Sequence, residues 1–177
     1  MKKLAGKKWW IIGGVAAVAV IVVLILLLLP KQQDIPDFGL KAGMSPEEVI
    51  SAMEKKGMKC EYKESDSPLV FSGDKTLFGK KPSAVAIWPD SGSDYMTVEY
   101  IFCGKEYDSH FPNVYHPAKR YDNLPELFDE LWTSAEKKLG TPDGNYGHQV
   151  DWDKDGKLYS LYRDSSQTYI EFYTQIR

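Results

Sequence analysis

The sequence predicts an α+β protein: an N-terminal transmembrane helix followed by two similar units, each a helix plus an antiparallel β-meander. Three observations lead to this prediction. The run from Trp9 to Leu29 has 21 residues and no charged side chain. Two later segments combine helix-capping residues with an apolar period of about 3.6 residues. Several short segments alternate apolar and polar residues, as half-buried strands do.

The apolar run is long enough to cross a bilayer. At about 1.5 Å per residue, a helix of this length spans roughly 31 Å, close to the hydrocarbon thickness. Four lysines lie in the preceding tip, residues 1–8. The positive-inside rule keeps that tip in the cytoplasm and exports the rest. We therefore expect an uncleaved signal anchor, residues 9–29, in a bacterial cytoplasmic membrane, with an extracytoplasmic C-terminal domain.

A cleaved signal peptide is the alternative to an anchor. Its apolar region is normally roughly 7–15 residues long and is followed by small residues at the cleavage site. Here Leu29 is followed by Pro30 and Lys31, without such a site. These features favour the anchor.

The charge of the exported part excludes one class of partner. After Leu29 the chain carries 18 basic and 25 acidic side chains, a formal net charge of −7, against −3 for the whole chain. Nucleic-acid binding requires clustered Lys and Arg, so we expect no nucleic-acid partner. Residues 30–40 are expected to be a short polar tether.

The first unit, residues 41–103, opens with a strongly marked helix. Ser45 is a good N-cap, Pro46 fits the first helical position, and Glu48 completes a capping box. Gly57 is the expected C-terminal stop. Strands are then predicted near residues 58–62, 69–71, 84–88 and 95–102. In the first of these, alternation places Met58, Cys60 and Tyr62 on one face.

A connection, residues 104–121, leads to the second unit, residues 122–177. Its helix is predicted from about Asn123 to Leu139, with Gly140 as the stop. Three strands are predicted over residues 148–152, 157–163 and 168–175. An amphipathic helix that covers one face of an antiparallel sheet is an α+β layer arrangement.

Two short similarities indicate an internal repeat. The pattern Trp88-x3-Gly92-x2-Tyr95 recurs 64 residues later as Trp152-x3-Gly156-x2-Tyr159. The helix ends, residues 51–57 and 134–140, are similar at an offset of 83. The difference between the offsets fits additional strand residues in the first unit.

The segment Gly43-Met44-Ser45-Pro46-Glu47-Glu48-Val49, followed by a helix and a meander, resembles the opening motif of the small outer-membrane assembly lipoproteins. The doubled helix-plus-sheet plan is similar to the β-lactamase inhibitor proteins. The resemblance implies a non-catalytic exported protein with helices on one sheet face and a protein-binding opposite face. This chain has no lipid-attachment cysteine and keeps a membrane segment, so the specific partners of those families do not carry over.

One motif has the composition of a calcium loop. Asp151, Asp153, Asp155 and Gly156 match the first half of such a loop. The twelfth position is Tyr162, where a bidentate Glu is needed, and no helices flank the motif. A hairpin turn is the favoured interpretation because Asp and Gly are common there. Weak calcium binding is the alternative, and no other cofactor is expected.

Other candidate ligands and thiols carry weaker signals. Asp108, His110 and His116 lie on the connection, and their spacing fits no zinc signature. His148 is assigned no role. Cys60 and Cys103 are able to form a disulfide outside the cytoplasm, although strand phase places them on opposite faces, which favours free thiols.

Aromatic residues carry the main functional hypothesis. If Met96 and Val98 face the core, outward positions on two strands hold Tyr and Glu, a mixture suited to recognition surfaces. The candidate binding face consists of Tyr95, Glu99, Tyr169, Glu171 and Tyr173. High strand propensity of Tyr is the simpler explanation for each single residue. Glu99 and Glu171 are expected to be solvated surface residues rather than a catalytic pair.

These features predict a membrane-anchored, non-catalytic module that binds a protein or an envelope component. No G-x-S-x-G elbow, Cys-His signature or phosphate-binding glycine loop is present in the sequence, so an enzyme is disfavoured. The alternatives are a weakly calcium-binding exported protein and a structural or assembly protein whose membrane helix carries the function.

Overall fold

A computed structural model of the chain describes residues 35–64, 67–89, 94–105, 117 and 119–176. The predicted α+β class is confirmed within them: two helices accompany one antiparallel sheet of eight strands. The helices are α1 (Pro46–Lys55) and α2 (Leu124–Leu139). The strands are β1 (Lys59–Tyr62), β2 (Leu69–Ser72), β3 (Ala84–Trp88), β4 (Met96–Cys103), β5 (Gly144–Asn145), β6 (Gln149–Lys154), β7 (Lys157–Arg163) and β8 (Tyr169–Ile176).

Residues 1–8 and 9–29, which carry the predicted cytoplasmic tip and membrane helix, lie outside the described residues. None of the described helices has both the length and the apolar composition to cross a membrane.

The first helix begins as its capping residues predict, and Asn123 caps the second. The Ser45 side chain accepts a hydrogen bond from the Glu48 N–H at 3.3 Å, and the Glu48 carboxylate accepts from the Ser45 N–H at 2.8 Å. This reciprocal pair satisfies two backbone donors that a helix start leaves free. In α2, the Asn123 side chain accepts from the Glu126 N–H at 3.2 Å. Gly140 ends α2 at a φ of 97°, a conformation that favours glycine.

The sheet runs in the order β1-β2-β3-β4-β8-β7-β6-β5. Its centre is the long β4–β8 pair, in which Met96 lies opposite Ile176 and Cys103 opposite Tyr169. The sequence did not predict β5, a two-residue edge strand that pairs with β6. The short length of β5 limits the unpaired backbone that this edge offers to another strand.

The main core lies between the two helices and one face of the sheet. Its members are the apolar side chains that period and alternation predicted for the inner positions of both helices and the central strands. Fully buried examples are Val49, Met53, Leu131, Phe102 and Phe172.

Residues expected to form the polar tether also belong to this core. Phe38 and Leu40 are buried, and the Phe38 ring stacks on Tyr100 with centroids 6.3 Å apart. The Tyr100 hydroxyl donates to the Pro36 carbonyl at 3.2 Å. The folded part therefore includes Phe38 and Leu40 of the segment assigned to the tether, because these two large apolar side chains cover the sheet.

The predicted phase of β1 is wrong at its end. A β-bulge between Cys60 and Tyr62 shifts the register, so that Cys60 lies opposite Phe71 but Tyr62 lies opposite Val70. Cys60 therefore packs against the main core, whereas Tyr62 packs in a separate cluster on the other face. A bulge adds one residue to a strand and reverses the facing of every residue after it.

Candidate functional site

The sheet face away from the helices brings together most of the predicted binding residues. Register places Glu99 of β4 opposite Tyr173 of β8, and Glu171 of β8 opposite Ile101 of β4. Ile101 belongs to a buried cluster separate from the main core beneath the helices. Glu99, Tyr169, Glu171 and Tyr173 thus lie side by side on this face, which we call the outer face. The fifth predicted residue, Tyr95, precedes β4 and lies at the end of the sheet, where it is 44% exposed.

A row of polar contacts crosses the outer face. The Ser160 hydroxyl of β7 donates to the Asp151 carboxylate of β6, and a hydrogen bond joins Ser160 to the Tyr173 hydroxyl of β8. On the other side of Tyr173, Glu99 accepts a hydrogen bond from the Trp88 indole N–H. Four neighbouring strands therefore each contribute one polar group to the same row, and Trp88 of β3 reaches it from a position opposite Thr97.

A second row is aromatic and includes residues that the sequence analysis missed. Tyr162 lies opposite both Gln149 and Glu171. Its ring is 6.3 Å from that of Tyr169 and 5.8 Å from that of His148, centroid to centroid. The sequence did contain a signal for Tyr162. It follows the apolar Leu161, and consecutive strand residues point to opposite faces of the sheet. No sequence pattern pointed to His148, because its neighbours in this row come from distant parts of the chain.

The two glutamates are not the solvated pair that the sequence predicted, because both are half-buried. Burial raises the pKa of the Glu99 carboxyl, and the hydrogen bond from Trp88 opposes that rise. The pKa of Glu171 rises to about 7, first because of burial and then because of the negative charges of Glu99 and Asp164. Glu171 therefore changes charge near neutral pH, on a surface that two tyrosines flank.

The outer face has a second region that is not available for recognition. Over the first four strands, most of its apolar side chains are almost completely buried: Tyr62, Val70, Ala84, Ala86, Ile101 and Cys103. Trp88 at the end of β3 is an exception, since it is 45% exposed. The sequence did contain a signal for this, since β2 and β3 read as continuous apolar runs, which are typical of strands covered on both faces. The half-exposed part of the outer face lies over β6, β7, β8 and the first half of β4, at Thr97 and Glu99.

The candidate calcium motif lies on a hairpin. Asp151 and Asp153 are strand residues of β6, while Asp155 and Gly156 form the turn, with φ values of 54° and 74°. Alternate strand residues advance about 6–7 Å, so Asp151, Asp153 and Asp155 do not converge on one ion. Among the described residues no group of three His, Cys, Asp or Glu side chains is placed to hold a metal. Asp108, His110 and His116 lie outside the described residues.

The two cysteines are free thiols. Cys60 packs on the helix side of β1, whereas Cys103 is buried on the outer side of β4. Two strands separate β1 from β4, a spacing of about 14 Å, well beyond the Cα separation of a disulfide. This separation, together with the opposite sheet faces that strand phase predicted for the two side chains, explains why the possible disulfide does not form.

Two clefts lie apart from these carboxylates. One, of about 470 Å³, is bordered by Asp74, Lys81 and Lys119 near the start of β3. A smaller one, of about 100 Å³, lies between residues 35–40 and strands β4, β7 and β8. Neither cleft contains Glu99 or Glu171.

Comparison with protein-family models, with curated proteins and with solved structures finds no match to this chain.

Proposed function

We propose that this chain is a membrane-anchored extracytoplasmic binding module without catalytic activity, which binds a protein or an envelope component through its outer face. The observation that carries the proposal is the convergence of Glu99, Tyr169, Glu171 and Tyr173, from two strands 73 residues apart, on one half-exposed surface. Tyr supplies contact area at low entropic cost, and carboxylates among the rings add directional acceptors.

Membrane attachment supports the same proposal from the sequence. The uncharged run at residues 9–29, with four lysines before it, has the length and charge asymmetry of a signal anchor. The anchor places the outer face outside the cytoplasm, where its partner would be an envelope protein or another component of that compartment.

We also propose that the domain consists of two related helix-plus-meander units, as in the β-lactamase inhibitor proteins that the sequence resembles. The strand order supports this. If β1–β4 belong to the first unit and β5–β8 to the second, β1 corresponds to β5 and β4 to β8. Each unit then has the same strand order when it is followed from its own edge of the sheet to the central β4–β8 pair. The similarity at an offset of 64 does not contribute, since it aligns the β3–β4 turn with the β6–β7 turn. The helix similarity, at an offset of 83, does agree with the strand order.

A photo-crosslinking experiment tests the binding function. A photoreactive amino acid replaces Tyr173 in the full chain, and a matched variant carries it at Lys137, on the exposed surface of α2. We expect a discrete crosslinked product in native membranes from position 173 and none from position 137. Equal crosslinking from both positions, or none from position 173, would exclude the outer face as the binding surface.

An alanine series then tests the residues. In this series the photoreactive amino acid replaces Tyr162 instead of Tyr173. We expect simultaneous replacement of Tyr95, Tyr169 and Tyr173 by alanine to abolish the crosslinked product. Unchanged crosslinking in a variant that remains folded by circular dichroism would contradict the proposed face.

A further inference from the structure

One end of the sheet collects several strand termini. β3 ends at Trp88, opposite Thr97 near the start of β4, and Met96 lies opposite Ile176 at the end of β8. The β6–β7 turn lies at the same end, because Lys154 pairs with Lys157 and Leu158 pairs with Gln175. We call this region the Trp88 end.

Large aromatic side chains are unusually exposed there. Trp88 is 45% exposed and Tyr95 is 44% exposed. Since Glu99 accepts the hydrogen bond from the Trp88 indole N–H, the part of Trp88 that meets solvent is mainly its apolar ring. Among the described residues, the only other large hydrophobic side chain with comparable exposure is Tyr146. It lies at the opposite end of the sheet, where its N–H donates to the Gln149 carbonyl.

The described chain begins at the Trp88 end. Ile35 borders the small cleft together with Lys157 and Ile176, and the Tyr100 hydroxyl holds the Pro36 carbonyl at 3.2 Å. In the sequence, only residues 30–34 separate Ile35 from Leu29, the last residue of the expected membrane segment. A chain of that length reaches at most about 20 Å when fully extended.

We propose that the Trp88 end rests on the outer surface of the bilayer, with the rings of Trp88 and Tyr95 in the lipid interface. The inference rests on the membrane anchor of the proposed function. Amphipathic aromatic rings favour the level of the lipid headgroups. The covalent anchor keeps the local lipid concentration high, so a contact by two side chains is sufficient to orient the domain.

The charges at this end are compatible with lipid contact. Among the described residues, the exposed ionic side chains at this end are of both signs and include Lys63, Glu64, Asp94, Lys154, Asp155 and Lys157. The net negative charge of the whole domain acts on an anionic membrane only over about 8–10 Å at ordinary salt. The contact therefore depends on the rings and should form on zwitterionic lipid.

This contact would set the direction of the binding surface. Strands β4, β7 and β8 all reach the Trp88 end, so they would rise from the membrane, and the outer face would point sideways along it. A partner in the same membrane would then meet Tyr173 and Glu171 by lateral diffusion.

Fluorine NMR of the full chain tests the contact. All five tryptophans are replaced by 5-fluorotryptophan, and one copy is placed in each phosphatidylcholine nanodisc. A lipid with a gadolinium chelate on its headgroup is then added, and signals are assigned through single Trp→Phe variants. We expect strong broadening of Trp9, Trp10 and Trp88. The signals of Trp132 and Trp152, which pack with the core, are expected to broaden several-fold less.

The outcomes separate the two proposals. If Trp9 and Trp10 stay sharp, the anchor fails, and with it the proposed function. If they broaden while Trp88 remains as sharp as Trp152, the lipid contact is wrong and the anchor stands. A Trp88 signal that is insensitive to the chelate but shifts when two copies share a disc would assign this end to a second copy instead.

A matched pair of variants adds a second readout. Tyr95→Ala removes one of the two rings from the Trp88 end and is expected to reduce the broadening of Trp88 about twofold, as two rings share the contact. Tyr146→Ala removes a more exposed ring from the other end and should leave the broadening unchanged. Equal effects of the two variants would overturn the proposal.

Discussion

The two regions of the outer face differ although they belong to one continuous sheet. Over β2, β3 and the end of β4 most outward side chains are small or aliphatic and almost fully buried, as Val70 and Ile101 are. Trp88 at the end of β3 is an exposed exception. Over β6, β7 and β8 most of them are half-exposed and polar or aromatic, as Tyr162 and Tyr173 are. Ser160, which is fully buried, and the aliphatic Leu158 are exceptions on β7. The same strand geometry thus serves stability in one region and presents a surface in the other.

Only the part of the outer face that is open to water is accessible to a binding partner. Strands that are covered on both faces carry apolar residues on both, whereas strands that are open to water on one face carry polar side chains on that face. The proposed recognition surface is therefore restricted to β6–β8 and the first half of β4.

The largest effect is expected from a polar substitution in the covered region. Val70→Asn places an amide at a fully buried position that was occupied by an aliphatic side chain. Burying an amide without a partner and losing apolar contacts should lower the free energy of unfolding by about 3 kcal/mol or more. Urea unfolding followed by circular dichroism measures the change.

The matched control lies in the open region. Leu158 is half-exposed on β7, so water remains able to solvate the new amide in Leu158→Asn. We expect a loss of about 1 kcal/mol or less. Equal losses for the two variants would mean that the two regions are covered to the same extent.

Local signals predicted most of the fold, because they reside in neighbouring residues. The capping box at Ser45 and Glu48 was visible in four consecutive positions, and β3 and β7 have the predicted bounds. The features that sequence reasoning missed depend on distant contacts. The bulge at Tyr62 depends on how β1 pairs with β2, and the burial of Phe38 on the later strands that it packs against.

The candidate site, too, was predictable only as far as it depends on neighbouring residues within one strand. Alternation placed Tyr169, Glu171 and Tyr173 on one face, since side chains two apart in a strand share a face. It could not indicate that Glu171 lies close enough to Glu99 to shift its pKa, because that depends on the β4–β8 register. Tyr95 was expected to continue the strand, but β4 begins one residue later.

The second largest effect is expected at the turn that joins β7 to β8. The buried Asp164 carboxylate accepts hydrogen bonds from the N–H groups of Ser166, Thr168 and Tyr169. Asp164→Ala leaves these donors without their acceptor and should cost about 2 kcal/mol in the free energy of unfolding. Asp164→Asn retains one acceptor oxygen and should cost less. A loss in Asp164→Ala no larger than that in Leu158→Asn would show that the turn does not depend on this carboxylate.

The stabilisation by Asp164 also depends on pH. Burial alone raises the pKa of Asp164, but the hydrogen bonds from Ser166, Tyr169 and Thr168 outweigh burial and hold the pKa below its ordinary value of 3.8. A lowered folded-state pKa means that the stabilisation is complete above the unfolded-state pKa and is lost as the pH falls through the folded-state pKa. The difference between the wild-type protein and Asp164→Ala should therefore shrink only under strongly acidic conditions.

A smaller effect of opposite sign is expected at Glu171. Its pKa rises from 4.5 to about 7 in the folded protein, so the folded state holds the proton more tightly than the unfolded state does. The wild-type protein should lose stability as the pH rises from the unfolded-state pKa through 7. Glu171→Gln removes that loss. It should stabilise the protein by about 1–2 kcal/mol at pH 8 and change little at pH 4, after allowance for partial exposure.

The control for Glu171 is Glu136→Gln, at an exposed position on α2. Urea unfolding at several pH values is measured for both variants and the wild-type protein. A Glu171→Gln curve that runs parallel to the wild-type curve would mean that the outer face is more open to water at this position than its burial indicates.

The smallest effect leaves stability unchanged and concerns the two thiols, which lie on opposite faces. Burial raises the pKa of Cys103 to about 11, and Cys103 is completely buried in the covered region. Cys60 is half-buried, and burial raises its pKa too. Because only an accessible thiolate reacts, a maleimide should label Cys60 slowly and Cys103 only after unfolding. Mass spectrometry of peptides locates each label. Labelling of Cys103 in the folded protein at the rate of Cys60 would show that the covered region opens to solvent, and the division between the two regions would then fail.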